Sequence, residues 1–250
     1  MSNKKLSPKS VLKDFTSKNN KCNNIDDLTL KLGNFSIDDV DGDVDNPKYV
    51  QLKCLLDSVC TCQISDAFNG ISRRSGVIKA LKSINGKTAY GRIYTGITKS
   101  DDWGTSLFTI DNAKKGDIIF LLSEGKSSAV WGELASTCAM EKGVKATAIY
   151  GSCRDIDEIL DLDFPVFACE KVPNAGSPLG LGKVNIDLNI EEGIIKPGDF
   201  FFGDESGVVV IPQELFDKVI METLAIKIKE SKILEQLKEG KALSEIVGLK

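Results

Sequence analysis

The sequence predicts a mixed α/β domain with more strands than helices. Three observations point there. Short β-rich runs alternate with glycine turns from Gly76 to Pro212, helical spacing is confined to a few stretches between them, and one long helical pattern follows Pro212. The 250 residues are 42% hydrophobic and 27% charged, enough apolar material for one core with appendages.

Residues 1–48 are rich in Lys, Asn, Ser and Asp, as in Lys18-Asn19-Asn20-Lys21 and Asp38-Asp39-Val40-Asp41. Such composition buries little apolar surface, so a partly ordered polar extension is expected. From Tyr49 the pattern changes. Val50, Leu52, Leu55, Leu56 and Val59 recur at helical spacing, and Ile64-Ser65-Asp66-Ala67-Phe68 reads as a second helix capped by Ser65 or Asp66. Strands are expected at 77–78, 89–97, 117–122, 146–150, 165–168 and 207–211, and helices at 111–113, 134–142 and 156–160. Lys115-Gly116-Asp117 and Lys196-Pro197-Gly198-Asp199 each read as a tight turn feeding an apolar strand, a similarity too generic to imply duplication. The final segment, 213–250, opens with a helix expected over 213–239 and stopped at Gly240. Its apolar stripe holds Leu215, Val219, Ile226, Ile233 and Leu237, with Glu230 on the same face. A carboxylate there needs a partner, and a lysine or a solvent edge would serve.

Composition weighs against several functions. A net charge of −4 with scattered Lys and Arg gives no basic footprint, so no nucleic-acid partner is expected. The opening Met1-Ser2-Asn3-Lys4-Lys5 precedes no apolar run, and nothing approaches the roughly 20 apolar residues that cross a bilayer, so a cytoplasmic protein with no membrane partner is expected. Seven scattered cysteines read as reduced core residues rather than a disulfide framework, and Cys60-Thr61-Cys62 lacks the second pair a structural zinc site needs. With no histidine in the chain, a Ser-His-Asp or Cys-His nucleophile cannot be built. Acid–base chemistry falls to carboxylates, lysines, tyrosines or water on a metal.

The chemistry-bearing pattern is Gly132-Glu133-Leu134-Ala135 followed by Gly151-Ser152-Cys153-Arg154-Asp155, with twenty residues between Glu133 and Arg154. One helix and one strand fit between the two turns, which puts both turns at the same end of a βαβ-like unit. Backbone N–H groups around Gly132 to Leu134 would open that helix and suit a carboxylate or other anion. Arg154 could lay a planar fork on the same anion, and Asp155 and Glu133 are hard ligands suited to Mg²⁺ or Mn²⁺. Each residue has a plainer role open to it. Glu133 serves equally as a helix-start acid, Arg154-Asp155 as a structural ion pair capping the next helix, and Glu158 as a solvated surface acid.

At these residues the chain resembles the RraA-like family, which includes class II 4-hydroxy-4-methyl-2-oxoglutarate/4-carboxy-4-hydroxy-2-oxoadipate aldolases and non-catalytic regulators of ribonuclease E. The matching parts are Ser65-Asp66-Ala67, Lys115-Gly116-Asp117, Trp131-Gly132-Glu133-Leu134-Ala135, the 151–155 turn, 163–168, Lys196-Pro197-Gly198-Asp199 and 203–212. The resemblance covers roughly residues 50–245. It implies a three-layer β/β/α swivelling-type core over 49–212, with the 213–250 segment packing on a neighbouring subunit of a homotrimer or homohexamer. It further implies a catalytic Arg154, a metal-binding Asp155, backbone amides at Gly132 and Leu134 for the pyruvate carboxylate, and Glu230 lent by a neighbouring subunit. Glu133 stands where the aldolases usually carry aspartate, and the loop 173–178 lacks the basic residues many of them have there. Arg154-Asp155-Ile156-Asp157-Glu158 also fits the R-D-x2-E pattern of the regulators, which resemble a glycine where Glu133 stands.

The expectation is therefore a Mg²⁺- or Mn²⁺-dependent lyase that cleaves a small 2-oxo acid to pyruvate enolate by retro-aldol cleavage or oxaloacetate decarboxylation. Arg154 would stabilise the enolate, and water near Glu133 would move protons. The rival is a regulatory protein that binds an RNA-processing enzyme. A methyltransferase fits poorly, because no glycine-rich turn with a following ribose-binding acid is visible.

Overall fold

The computed structural model describes residues 35–43 and 45–249. The chain divides into two units, residues 1–59 and 60–250. Most of the polar extension expected over 1–48 lies outside the described residues. Within the first unit a 3₁₀ turn, Ile37–Asp41, begins at a capping box in which Ser36 and Asp39 exchange bonds. Helix α1, Pro47–Leu56, follows, capped by the Asn46 side chain on the Lys48 N–H at 2.9 Å. Cys54 is disulfide-bonded, which corrects the expectation that every cysteine is reduced; Cys60, Cys62, Cys138, Cys153 and Cys169 are free.

The second unit opens with helix α2, Thr61–Ser72. Ser65 and Asp66 lie inside it rather than capping it. The cap is partly tertiary: Asp204 accepts from the Thr61 N–H at 2.9 Å and the Thr61 hydroxyl at 2.8 Å, while Gln63 Oε1 accepts from the Cys60 N–H at 3.2 Å in a local capping box. The remaining elements are β1 (Lys82–Ser83), β2 (Ala89–Thr98), α3 (Gly104–Asn112), β3 (Ile118–Ser123), β4 (Ala129–Trp131), α4 (Glu133–Glu141), β5 (Ala146–Cys153), α5 (Ile156–Asp161), β6 (Val166–Lys171), β7 (Lys183–Val184), β8 (Leu188–Ile190), β9 (Gly193–Ile195), β10 (Phe200–Asp204), β11 (Gly207–Ile211), α6 (Phe216–Lys238) and α7 (Leu243–Ile246).

The main sheet runs β1-β6-β5-β3-β2-β10-β11, with β4 beside β5 and β7 beside β2; β8 and β9 form a separate hairpin. The β2, β3, β5 and β6 neighbours are parallel, as crossover helices require, and β10 and β11 are antiparallel additions. At the far edge Ile78 donates to Val208 O and Val210 donates to Gly76 O, so the run leading into β1 also pairs with β11. The sheet is thereby nearly closed into a barrel.

The layers follow from side-chain alternation. On β3, Ile119 and Leu121 face a helix-side core with Ile110, Ala139 and Ile159, while Ile118 and Phe120 face an inner core with Phe201, Val208, Val210, Leu188 and Ile195. With both faces buried, β3 reads as the unbroken apolar run Ile-Ile-Phe-Leu-Leu. Helices cover one face and strands the other, the β/β/α order expected. Helix α6 packs on α2; in its first half Phe216, Val219, Ile220, Thr223 and Leu224 are buried, and Phe216 meets Phe200 of β10 edge-on at 4.8 Å. No helix of the described residues is long and apolar enough to cross a membrane.

Candidate active site

Strand β3 flanks β5 only as far as Tyr150; from there β4 takes its place, with Ala129 opposite Ser152 and Trp131 opposite Cys153. The two strands are parallel, so their next residues, Gly132 and Arg154, emerge side by side at the carboxyl end, the end where α/β sheets place ligands. The Arg154 N–H donates to Trp131 O at 3.0 Å and fixes the join.

Gly132 caps α4 but has no side chain to satisfy the first amides of that helix. Asp155 does this from the other turn, its Oδ2 accepting the Glu133 N–H at 3.2 Å. The same oxygen lies 3.4 Å from Arg154 Nε. Asp155 stands at the N-cap of α5 yet gives that helix no side-chain bond. Its backbone is left-handed, φ 55° and ψ 49°, a conformation that costs a non-glycine residue about 1–3 kcal/mol. That conformation accompanies a carboxylate turned back towards α4. A Cβ on residue 132 would collide with Asp155 Oδ2 and lie 3.2 Å from Arg154 Cγ, so close approach demands the glycine.

Beyond Glu133, the Leu134 and Ala135 amides have no intrahelical acceptor, because Ser136 is the first to bond back, to Gly132 O at 3.0 Å. They present the positive end of a nine-residue helix. A hydrogen-bond chain holds the turn: Trp131 Nε1 donates to Ser136 Oγ at 2.9 Å, which donates to Gly132 O at 3.0 Å. In front of these groups is a cavity of about 340 Å³. It is lined by Gly132, Leu134, Arg154 and Asp155 together with Trp103, Leu107, Val130 and Trp131.

Within one chain, two expected site residues stand off the cavity. Glu133 contributes its backbone N–H but does not line the cavity. Glu230 is exposed on α6, accepts from Gln63 Nε2 of α2 at 2.6 Å, and does not line the cavity within one chain. Glu158 is exposed.

Sequence reading missed Asp102. It is fully buried, and its carboxylate accepts five hydrogen bonds, from Gly104 N, Leu179 N and Gly180 N on Oδ1 and from Thr105 Oγ1 and Leu181 N on Oδ2, all within 2.8–2.9 Å. Burial alone would push its carboxyl up, but the bonds from Gly180, Leu181, Thr105 and Gly104 outweigh it and hold it down at about 2. Asp102 ties the 173–182 loop to the start of α3. Trp103 adds two bonds of 3.1 Å, from its N–H to Ser177 O and from Nε1 to Gly176 O. An aspartate two residues ahead of Gly104-Thr105 was the available signal, a helix-start acceptor.

No group of three or more His, Cys, Asp or Glu side chains among the described residues could enclose a metal. Asp155 nonetheless fits Mg²⁺ or Mn²⁺: it is a hard ligand at the cavity wall, one third exposed, with Oδ1 accepting no hydrogen bond among the described residues. Mg²⁺ is commonly held by one or two carboxylates and keeps several waters.

The family model described as RraA-like, Aldolase/RraA, matches residues 61–210. The chain belongs to the RraA-like family. A relative in Methanocaldococcus jannaschii, of uncharacterised function, is 42% identical over 167 residues, 66% of this chain and 80% of its own. A Halalkalibacterium halodurans protein provisionally named 4-hydroxy-4-methyl-2-oxoglutarate aldolase is 29% identical over 163 residues, 65% of this chain and 76% of its own. Among solved structures, an uncharacterised Pseudomonas syringae protein superposes with a TM-score of 0.69 at 25% identity, covering 78% of this chain and 96% of its own. The RNA-processing inhibitor RraA of Thermus thermophilis superposes with a TM-score of 0.50 at 24% identity, covering 54% and 82%.

Proposed function

We propose that this RraA-like protein is a divalent-metal-dependent lyase that cleaves a C–C bond of a 2-oxo acid to give pyruvate. The observation that carries the reading is the meeting, on one cavity, of a helix N-terminus, a guanidinium and a carboxylate with a spare oxygen. The Leu134 and Ala135 amides bind the substrate carboxylate, aided by the positive end of α4. Asp155 would hold Mg²⁺ or Mn²⁺, which when bound supplies Lewis acidity at the keto oxygen. Arg154, oriented through Nε by Asp155, places its remaining N–H groups on the charge that develops as the bond breaks. The apolar walls exclude water and strengthen that contact. Glu133 acts through its N–H, which orients Asp155, and Glu230 would join only from a neighbouring subunit.

Pyruvate release from oxaloacetate and from 4-hydroxy-4-methyl-2-oxoglutarate, coupled to lactate dehydrogenase, tests this with Mg²⁺ or with EDTA. Turnover is expected to need both the metal and Arg154; undiminished turnover by Arg154→Ala would sink the assignment. A second reading, a regulator that binds an RNA-processing enzyme, is favoured by the exposed Glu158 in the R-D-x2-E run and by Glu133 standing off the cavity. Capture of a ribonuclease from lysate, with no metal-dependent turnover of either acid or of a 4-alkyl-4-hydroxy-2-oxo monocarboxylic acid, would decide for it.

A further inference from the structure

The cavity offers one cation for anions. Arg154 is the sole Lys or Arg lining it among the described residues, and Asp155 already shares its charge. Apart from Ser106, whose hydroxyl is turned to Val130 O at 2.6 Å, the remainder of the wall is apolar, with Trp103, Leu107, Trp131, Leu134 and Val130 its bulk. The loop that lends it Ala175, residues 173–182, contains no basic residue. Asp102 fastens three consecutive amides of that loop, so it is held in place beside the cavity. A volume of about 340 Å³ is the room of about eleven waters, more than a three-carbon acid fills.

Building on the lyase reading, we propose that the cavity takes a monocarboxylic 2-oxo acid with an apolar tail rather than a dicarboxylate. The one carboxylate sits at the α4 N-terminus and Arg154; the tail lies between Trp103, Leu107 and Leu134, where a second carboxylate would lose its hydration with no cation to replace it. For cleavage, the substrate is a 4-hydroxy-2-oxo acid with an alkyl or aryl group on C4. The C3–C4 bond breaks and its electron pair stays on C3. The 4-hydroxyl gives up its proton and becomes the carbonyl of an apolar aldehyde, and C3 takes up a proton to yield pyruvate. No oxidant or reductant is needed.

Both tryptophans of the chain, Trp103 and Trp131, line the cavity, so intrinsic fluorescence reports its occupancy. Titrating the full chain in Mg²⁺ with 4-methyl-2-oxopentanoate and with 2-oxoglutarate, neither of which has a 4-hydroxyl to cleave, is expected to give at least tenfold tighter binding of the apolar acid. Leu107→Arg should shift the preference towards 2-oxoglutarate. Equal affinity, a preference for 2-oxoglutarate, or no binding of either acid overturns the proposal. Pyruvate release from the 4-alkyl and 4-carboxyl 4-hydroxy-2-oxo acids separates it from the lyase reading. Faster turnover of the dicarboxylate refutes the apolar-tail assignment and leaves the lyase, whereas the apolar binding preference without turnover of either supports the assignment and refutes the lyase.

Discussion

Position 132 is decided by position 155. Asp155 Oδ2 occupies the space that any side chain on residue 132 would fill, and there it satisfies the first amide of α4 and orients Arg154. Gly132→Ala should therefore displace the carboxylate by a fraction of an ångström and cut pyruvate release at least tenfold, with the far-UV circular dichroism unchanged; full activity would refute the coupling. Asp155→Asn keeps an acceptor for the Glu133 N–H but removes the charge. Mg²⁺ affinity, read by calorimetry, is expected to fall at least tenfold while Tm changes little. Arg154 and Asp155 were legible in the sequence because their spacing from Gly132 matches a helix and a strand between two turns. The direction of the Glu133 side chain was not, since spacing places a helix-start residue without saying that only its backbone faces the site.

Elements meet at this site because buried acceptors reach far along the chain. Asp102 holds amides 77, 78 and 79 residues away, and Asp204 caps α2 from 143 residues away. The tertiary part of such caps leaves no local signature; α2 also has a local one, Gln63 three residues after Cys60, which places its start at Thr61 instead of at Ser65 or Asp66. The strands expected at 89–97, 117–122, 146–150, 165–168 and 207–211, carried by local apolar patterning, lie close to where the sequence puts them, whereas 77–78 makes only a bridge to β11 and β1 is Lys82–Ser83. Asp102 gives the fold a pH dependence of definite sign. Its folded pKa, about 2, lies below the ordinary 3.8, so as pH falls the unfolded chain takes the proton first. The stabilisation is complete above about pH 4 and is lost between about 4 and 2. Asp102→Asn should lower Tm at neutral pH, in line with losing charge-assisted bonds worth about 1.5–3 kcal/mol each, and should flatten the fall of Tm below pH 4. An equally steep fall in the variant would refute it. The two Lys-Gly-Asp and Lys-Pro-Gly-Asp turns also prove alike in detail. Asp117 accepts from Lys114 N at 2.7 Å and Asp199 from Lys196 N at 2.8 Å, with the preceding glycines at φ 97° and 90°.

For the molecule as a whole, α6 poses the open question of assembly. Its first half holds its buried residues, while from Ala225 onwards no residue of the helix is buried, and Glu230, bonded to Gln63 of α2, lies in that second half. If the second half covers a neighbouring subunit, light scattering will give a trimer or hexamer, and Glu230→Gln will slow turnover without altering mass. A monomer would remove Glu230 from the chemistry. The assembly could not be read from the helical stripe, because the same stripe serves packing within a chain and between chains. The closure of the sheet bears on another kind of association. Residues 76–78 hydrogen-bond β11 and lead directly into β1, so one short length of chain occupies both ends of the main sheet. Open strand edges are the templates on which chains add to one another as cross-β aggregates. With its terminal edges largely consumed, this protein in concentrated solution should stay free of thioflavin-positive fibrils for as long as the barrel remains folded, and cutting the chain between Gly76 and Lys82 should be the change that makes it fibrillise.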